Sequence, residues 1–141
     1  MDNLASYSLI ILGWLAVHLF SAHRDKQKEW REFSRETVKQ IDKIEKSSIF
    51  YHTSTTRNIN LEKKIKLDIN SLDIRFTLIK KHLRLHPTIA ILRAAITLDN
   101  FESSNFLQQN YGSTIIQSIA FEANRLREAL YGAESKNIFR F

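Results

Sequence analysis

LASYSLIILGWLAVHLFSAHRDKQKEW, residues 4–30, changes character at its midpoint. Residues 4–22 contain no Asp, Glu, Lys or Arg. As one helix they would extend roughly 28 Å, close to a hydrocarbon core of roughly 30 Å. Nine Leu, Ile, Val and Phe residues lie within this segment, and together they favour insertion by about 4 kcal/mol before the polar residues are subtracted. Most of those polar residues, Ser6, Tyr7, Ser8, His18 and Ser21, sit near the ends, where headgroups and water can satisfy them. The segment therefore reads as a transmembrane anchor over residues 1–22, with a buried core helix of a soluble protein as the alternative because its length is at the short end for a span. A cleavable signal peptide is disfavoured because MDN supplies no basic n-region.

The charges follow the apolar segment. Arg24, Lys26, Lys28 and Arg31 form a basic collar suited to anionic headgroups. By the positive-inside rule this collar holds the C-terminal side in the cytoplasm and sends the N-terminus outside. Polar residues do not gather on one face of residues 9–20, which argues against a helix lying in the interface. His18, inside the segment but near its inner edge, is a candidate proton-sensitive contact between copies, and it can equally reach water as a neutral imidazole. No small-xxx-small pair marks the segment for close helix packing.

Beyond the collar the chain reads as helical throughout. It has 141 residues with only three Gly and one Pro, enough for one modest core and poor in the residues that interrupt helices. An all-β fold is disfavoured. The absence of Cys excludes disulfides and thiolate metal sites. The net charge of +6 is uneven: residues 23–86 carry sixteen Lys/Arg against nine Asp/Glu, and residues 87–141 carry five of each. An anionic partner would meet the first half.

The expected architecture is all-α: the anchor, a charged stalk helix over residues 23–46, a linker over 47–60, and a cytoplasmic helical bundle over 61–141. In the stalk, Trp30, Phe33, Thr37, Ile41 and Ile44 recur at helical steps. Acid–base pairs such as Glu32 with Arg35, Glu36 with Lys39 and Asp42 with Lys46 have intrahelical spacing. Trp30, Phe33, Ile41 and Ile44 are the expected contact for a second copy or another helical protein. SSIFYHTSTTRNIN, residues 47–60, is rich in side chains that compete with the helical backbone, so it reads as the connection.

Asn58 or Asn60 can cap the next helix, whose Leu61, Ile65, Ile69, Leu72, Phe76, Ile79 and Leu83 form the strongest periodic stripe in the chain. Leu67, Ile74, Leu78 and Leu85 widen its apolar face and imply two neighbours inside the bundle. Pro87 separates it from a short helix over residues 88–98 with Ile89, Leu92 and Ile96 on one side. After the polar linker DNFESSNFLQQNYG, Ser113 opens a last helix aligned on Ile116, Ile119, Ala123, Leu126 and Leu130, and Gly132 is expected to stop it. The terminal NIFRF is expected to fold back onto the bundle.

The collar RDKQKEWREF after an apolar anchor, together with LRAAITLDNFE between the last two helices, resembles a loosely defined group of uncharacterised bacterial proteins. These have one N-terminal span and a cytoplasmic helical part. The resemblance implies a bacterial inner membrane location and carries no activity.

Chemistry-bearing patterns are sparse. His82 and His86 share a helix face at metal-ligand spacing but lack a third ligand, and histidines at a helix C-terminus favourably meet its dipole. Arg75 and His82 are separated by six residues, a spacing allowed in the helical HEPN ribonucleases, which this basic all-α chain resembles. That resemblance implies an Arg and a His from two protomers serving an RNA phosphate and the attacking ribose hydroxyl. Phe76 stands where those enzymes carry a polar residue. The lysine runs at residues 63–66 and 80–84 can follow a nucleic-acid backbone but lack interleaved exposed aromatics, so nucleic acid is not the favoured partner. There is no phosphate loop, nucleophile elbow or paired acid, and no cofactor is expected.

The leading expectation is a non-enzymatic, membrane-tethered interaction or self-assembly module whose partners are anionic lipid and a second copy or helical protein. The alternatives are a membrane-disrupting effector assembling through its spans, and a tethered ribonuclease using Arg75 and His82.

Overall fold

A computed structural model describes the backbone of residues 2–83, 89–98 and 100–138 and the side chains of residues 10–79, 89–98 and 100–133. The protein is all-α, with helices α1 (Asp2–Thr53), α2 (Ile59–Leu83), α3 (Ile89–Thr97) and α4 (Thr114–Ile138). The chain forms two compact units, Met1–Phe33 and Ser34–Phe141.

The second unit owns the hydrophobic core. Val38, Ile41, Ile44 and Tyr51 of α1 are buried there, with Ile65, Ile69, Leu72, Phe76 and Ile79 of α2. Ile89, Leu92 and Ile96 join from α3, and Ile116, Ile119, Ala123, Leu126 and Leu130 from α4. These follow the expected stripes of the last three helices, because one apolar side chain per turn is what a helix needs to seal one face. The side chains of Leu83 and of NIFRF, and all of Leu85, His86 and Pro87, lie outside the described residues.

Three expectations are corrected and one is not borne out. First, the transmembrane part of the anchor expectation is not borne out: among the described residues no helix is long and apolar enough to cross a membrane. The described apolar side chains begin at Ile10, and from there to Ala22 thirteen residues extend only about 20 Å.

Second, residues 47–53 belong to α1, and the connection shrinks to the few residues before Ile59. Two of their hydroxyls turn back onto the helix: Ser47 Oγ donates to the Lys43 carbonyl at 2.5 Å and Thr53 Oγ1 to that of Ile49 at 2.9 Å. Bonded this way they no longer compete with the helical backbone. The part of the expected stalk from Ser34 onward is thus part of the bundle.

Third, the ion pairs of α1 reach across helices. Glu36 accepts from Arg75 at 3.2 Å, Lys43 meets Asp68 at 2.9 Å, and Arg127 of α4 spans Asp42 and Glu45. Fourth, Gly132 lies within α4 with no left-handed φ, so it does not end the helix.

The helix starts follow the sequence. Asn58 Oδ1 accepts the Leu61 N–H at 3.0 Å, and Ser113 accepts the Gln117 N–H on its carbonyl at 3.0 Å.

Candidate functional site

The first unit is an apolar helix. From Ile10 to Phe20, eight large apolar side chains (Ile10, Ile11, Leu12, Trp14, Leu15, Val17, Leu19 and Phe20) are each 44–72% exposed. Successive residues are about 100° apart around a helix, so the set covers every side of it. A helix serving one protein neighbour needs only a stripe. This one presents apolar surface all round, as does a helix whose medium is itself apolar. His18 stacks on Trp14, with ring centroids 5.4 Å apart and planes 6° from parallel. The pair therefore forms a flat aromatic ledge.

The collar follows on the same unit: Arg24, Lys26 and Lys28 are exposed and Arg31 is half-buried. Trp30 and Phe33 are half-buried, edge to face at 5.9 Å. Ile41 and Ile44, expected to join them in a contact with a second copy, are completely buried in the core of the second unit. They have no surface left to offer. The outward apolar contact is thereby reduced to Trp30 and Phe33.

A second constellation sits where α1 ends. Tyr51 Oη donates to Glu62 Oε1 at 2.5 Å, and Arg57 clasps both oxygens of the same carboxylate, Nε at 2.7 Å and Nη2 at 3.0 Å. Glu62 is 1% exposed. The Arg57 guanidinium holds its carboxyl below the usual carboxylate range against the opposing effect of burial. Burial, reinforced by the Glu62 carboxylate, pushes the Tyr51 phenol up to about 12. Tyr51 thus stays a neutral donor and Glu62 a charged acceptor, the pairing in which each satisfies the other.

Beside it, His52 is completely buried, and its tautomer is fixed by its neighbours. Asn100 uses its carbonyl oxygen for the Leu107 N–H and its amide nitrogen for the Leu107 carbonyl, both at 2.8 Å, which sets the orientation of the amide. The same nitrogen faces His52 Nδ1 at 3.4 Å, so Nδ1 accepts and Nε2 carries the hydrogen, donating to the Ile96 carbonyl at 3.0 Å. Burial lowers the imidazole pKa, opposed by that backbone bond. Phe101 and Phe106 pack on the Tyr51 ring at 5.1 and 5.2 Å.

The loop carrying these groups also closes α1. The Gln109 N–H donates to the His52 carbonyl at 2.8 Å and Gln108 Nε2 to that of Thr53 at 2.9 Å, supplying donors for helix-end carbonyls that have no intrahelical partner. Glu102, at φ 58°, is the one non-glycine residue with positive φ among the described residues. Tyr51, Arg57, Glu62, His52 and Asn100 are each hydrogen-bonded within the fold, and the arrangement locks α1, α2 and the loop together.

Of the pair considered for catalysis, only the Arg75 side chain lies among the described residues. Arg75 donates to Glu36 across helices, and Phe76 is in the core as expected. His82 lies on α2, but its side chain is outside the described residues, as is all of His86. Among the described residues no three His, Cys, Asp or Glu side chains gather to hold a metal.

Sequence reasoning missed the Tyr51–Glu62–Arg57 clasp and the His52–Asn100 pair. Neither has a period, and the only hint was an aromatic-histidine pair inside a Ser/Thr-rich stretch. It also placed Leu67, Ile74 and Leu78 in the interior, whereas all three are exposed. No protein-family model, curated protein or solved structure is significantly similar to this chain.

Proposed function

We propose that the chain is a non-enzymatic, membrane-tethered helical module at the cytoplasmic face of a bacterial inner membrane. Its N-terminal helix lies among lipid and its second unit serves as the interaction part. The observation that carries this reading is the all-round exposure of the apolar side chains of residues 10–20. At 1.5–3 kcal/mol for full burial of each, and with roughly half of each surface still open, about 10 kcal/mol of transfer free energy is left to be gained from an apolar medium. The uncharged stretch continues back to Leu4, which brings its length to that of a hydrocarbon core. The exposed cations of the collar suit the anionic inner leaflet and set the N-terminus outside. Trp30 and Phe33 are the surface offered to a second copy, and the resemblance of the collar and of LRAAITLDNFE supports the bacterial setting.

The chain has no cysteine, so single cysteines report topology cleanly. In intact cells, Asn3→Cys should react with an impermeant maleimide and Glu128→Cys only after permeabilisation. Alkaline extraction should leave the protein with the membranes. A protein freely dissolved without detergent, or an Asn3→Cys shielded from the outside, overturns the tether. Phe33→Glu should reduce crosslinked oligomers while leaving membrane association intact, and unchanged oligomers would remove Trp30 and Phe33 from that role.

A further inference from the structure

α2 is apolar on two opposite faces. At about 100° per residue, Leu67, Ile74 and Leu78 fall within about 40° of one another, on the side away from the buried Ile65, Ile69, Leu72, Phe76 and Ile79. They are 69%, 67% and 52% exposed. The core of this unit is complete without them, so its own packing does not account for them.

The charges beside this stripe are sorted. The acids of α2 turn toward partners within the fold: Glu62 to Arg57, Asp68 to Lys43 and Asp73 to Arg93. The outward half of the helix carries Lys63, Lys64 and Arg75 and, among the described residues, no acid. Lys64 also borders a groove of about 560 Å³ between α1 and α2, lined in addition by Lys39, Asp42, Lys43, Lys46, Ser47 and Phe50. Asp42 is engaged by Arg127 and Lys43 by Asp68. Lys39, Lys46 and Lys64 have no acidic partner among the described residues, and Phe50 is 63% exposed.

From this arrangement we infer that the outward face of α2, with the lysine-lined groove beside it, is a second lipid-contacting surface that lies on an anionic leaflet. Leu67, Ile74, Leu78 and Phe50 enter the headgroup boundary, and Lys39, Lys46, Lys63 and Lys64 meet lipid phosphates. An apolar stripe bordered only by cations is what an interfacial helix needs. Each near-surface cation adds favourable attraction to anionic lipid. A second copy fits poorly, because pairing this face with itself sets lysine against lysine, and the one acid lining the groove, Asp42, is already engaged by Arg127. The inference rests on the tether reading only for keeping a membrane within reach of the unit.

The test uses the full chain carrying one cysteine labelled with an environment-sensitive dye, in vesicles of phosphatidylcholine alone or mixed with phosphatidylglycerol. A label at Ile74→Cys should blue-shift and lose several-fold of its iodide quenching only with phosphatidylglycerol. Added salt, or Lys39→Glu with Lys46→Glu and Lys64→Glu, should reverse this, and a label at Gln117→Cys on α4 should not respond. An Ile74 label open to iodide in both vesicles, or shielded equally in both as by a protein partner, overturns the inference. A label at Leu12→Cys keeps the two readings apart. Shielded in both vesicles, it upholds the tether whatever Ile74 does; open to iodide while Ile74 is shielded, it removes the tether and leaves the α2 surface standing.

Discussion

The two parts of α1 invert each other's chemistry. From Ile10 to Phe20 its large apolar residues are exposed, Phe20 by 72% and Val17 by 70%. From Ser34 onward it buries polar ones, with Thr37, Ser48 and His52 at 0–5% exposure alongside Ser34. One helical segment wears outside what the other hides. Burial is thus decided by what surrounds the helix, and residue type sets only the cost of a mismatch. In the second unit His52 meets that cost by its hydrogen bond to Ile96, whereas the buried Ser48 hydroxyl has no hydrogen-bond partner among the described residues. In the first unit it is outstanding, and a lipid medium would remove it.

The sharpest way to break this contrast is to place the same charge in both segments. Val17→Arg costs about 3 kcal/mol of insertion free energy if the residue lies in lipid, comparable to the about 4 kcal/mol that the apolar residues of the segment contribute on the same insertion scale. The membrane-bound fraction should fall steeply while the thermal unfolding of the helical core stays unchanged. Ile44→Arg puts an unpaired charge into a site with no exposure and should cost more than about 4 kcal/mol, enough to unfold a marginally stable core. Circular dichroism melts and membrane fractionation read the two outcomes. If Val17→Arg alters melting and leaves fractionation untouched, the segment is packed in protein and the contrast fails.

A pH titration sharpens the comparison within the second unit. Burial holds the native His52 pKa below the unfolded value of 6.5. The unfolded chain therefore takes up protons that the folded one refuses, and stability should fall as pH drops below about 6.5. Protonation also places a hydrogen on Nδ1 facing the Asn100 amide nitrogen, two donors in contact. Glu62 contributes in the same direction at lower pH: its carboxyl pKa is lowered from 4.5, so its stabilisation is present above that value and is lost as pH falls through the native one. Urea unfolding from pH 8 downward should thus show one descending step that begins below about 6.5 and a second that begins only below 4.5. His52→Gln should lower the neutral plateau by about 1 kcal/mol, the worth of an imperfectly replaced buried hydrogen bond, and remove the upper step alone. A profile that keeps its upper step in His52→Gln assigns that step elsewhere.

The residues differ in how far sequence alone could place them, and the reason is periodicity. Ile65, Ile69, Leu72, Phe76 and Ile79, or Ile116 through Leu130, repeat at helical steps, and any helix so patterned must hide that face. Leu67, Ile74 and Leu78 carry the same signal and are exposed. Period tells which residues share a face, while the number of faces covered depends on how many helices the chain can supply. Ile41 and Ile44 show the converse: their stripe was legible, but its partner was the chain's own core. The Tyr51–Glu62–Arg57 clasp and the His52–Asn100 pair join positions 11 and 48 residues apart by hydrogen bonds that no local pattern announces. The same is true of Arg127 with Asp42 and Glu45, since intrahelical spacing made nearer partners look sufficient.

Gly132 marks the smallest difference between expectation and structure, and it can be measured. A glycine ending a helix adopts a left-handed φ that a side chain opposes, so alanine there would destabilise. Gly132 instead lies inside α4, which runs from Thr114 to Ile138, with no positive φ. A Cβ added there meets nothing within 4 Å. Alanine therefore loses less backbone entropy on folding at no steric cost, and Gly132→Ala should stabilise the second unit by about 0.5–1 kcal/mol. The gain should appear as a raised urea midpoint with an unchanged slope. A lowered midpoint would return Gly132 to the role of a stop signal and end α4 one turn or more earlier, leaving the side chains after Leu130 without the helix that carries Ala133 into the core.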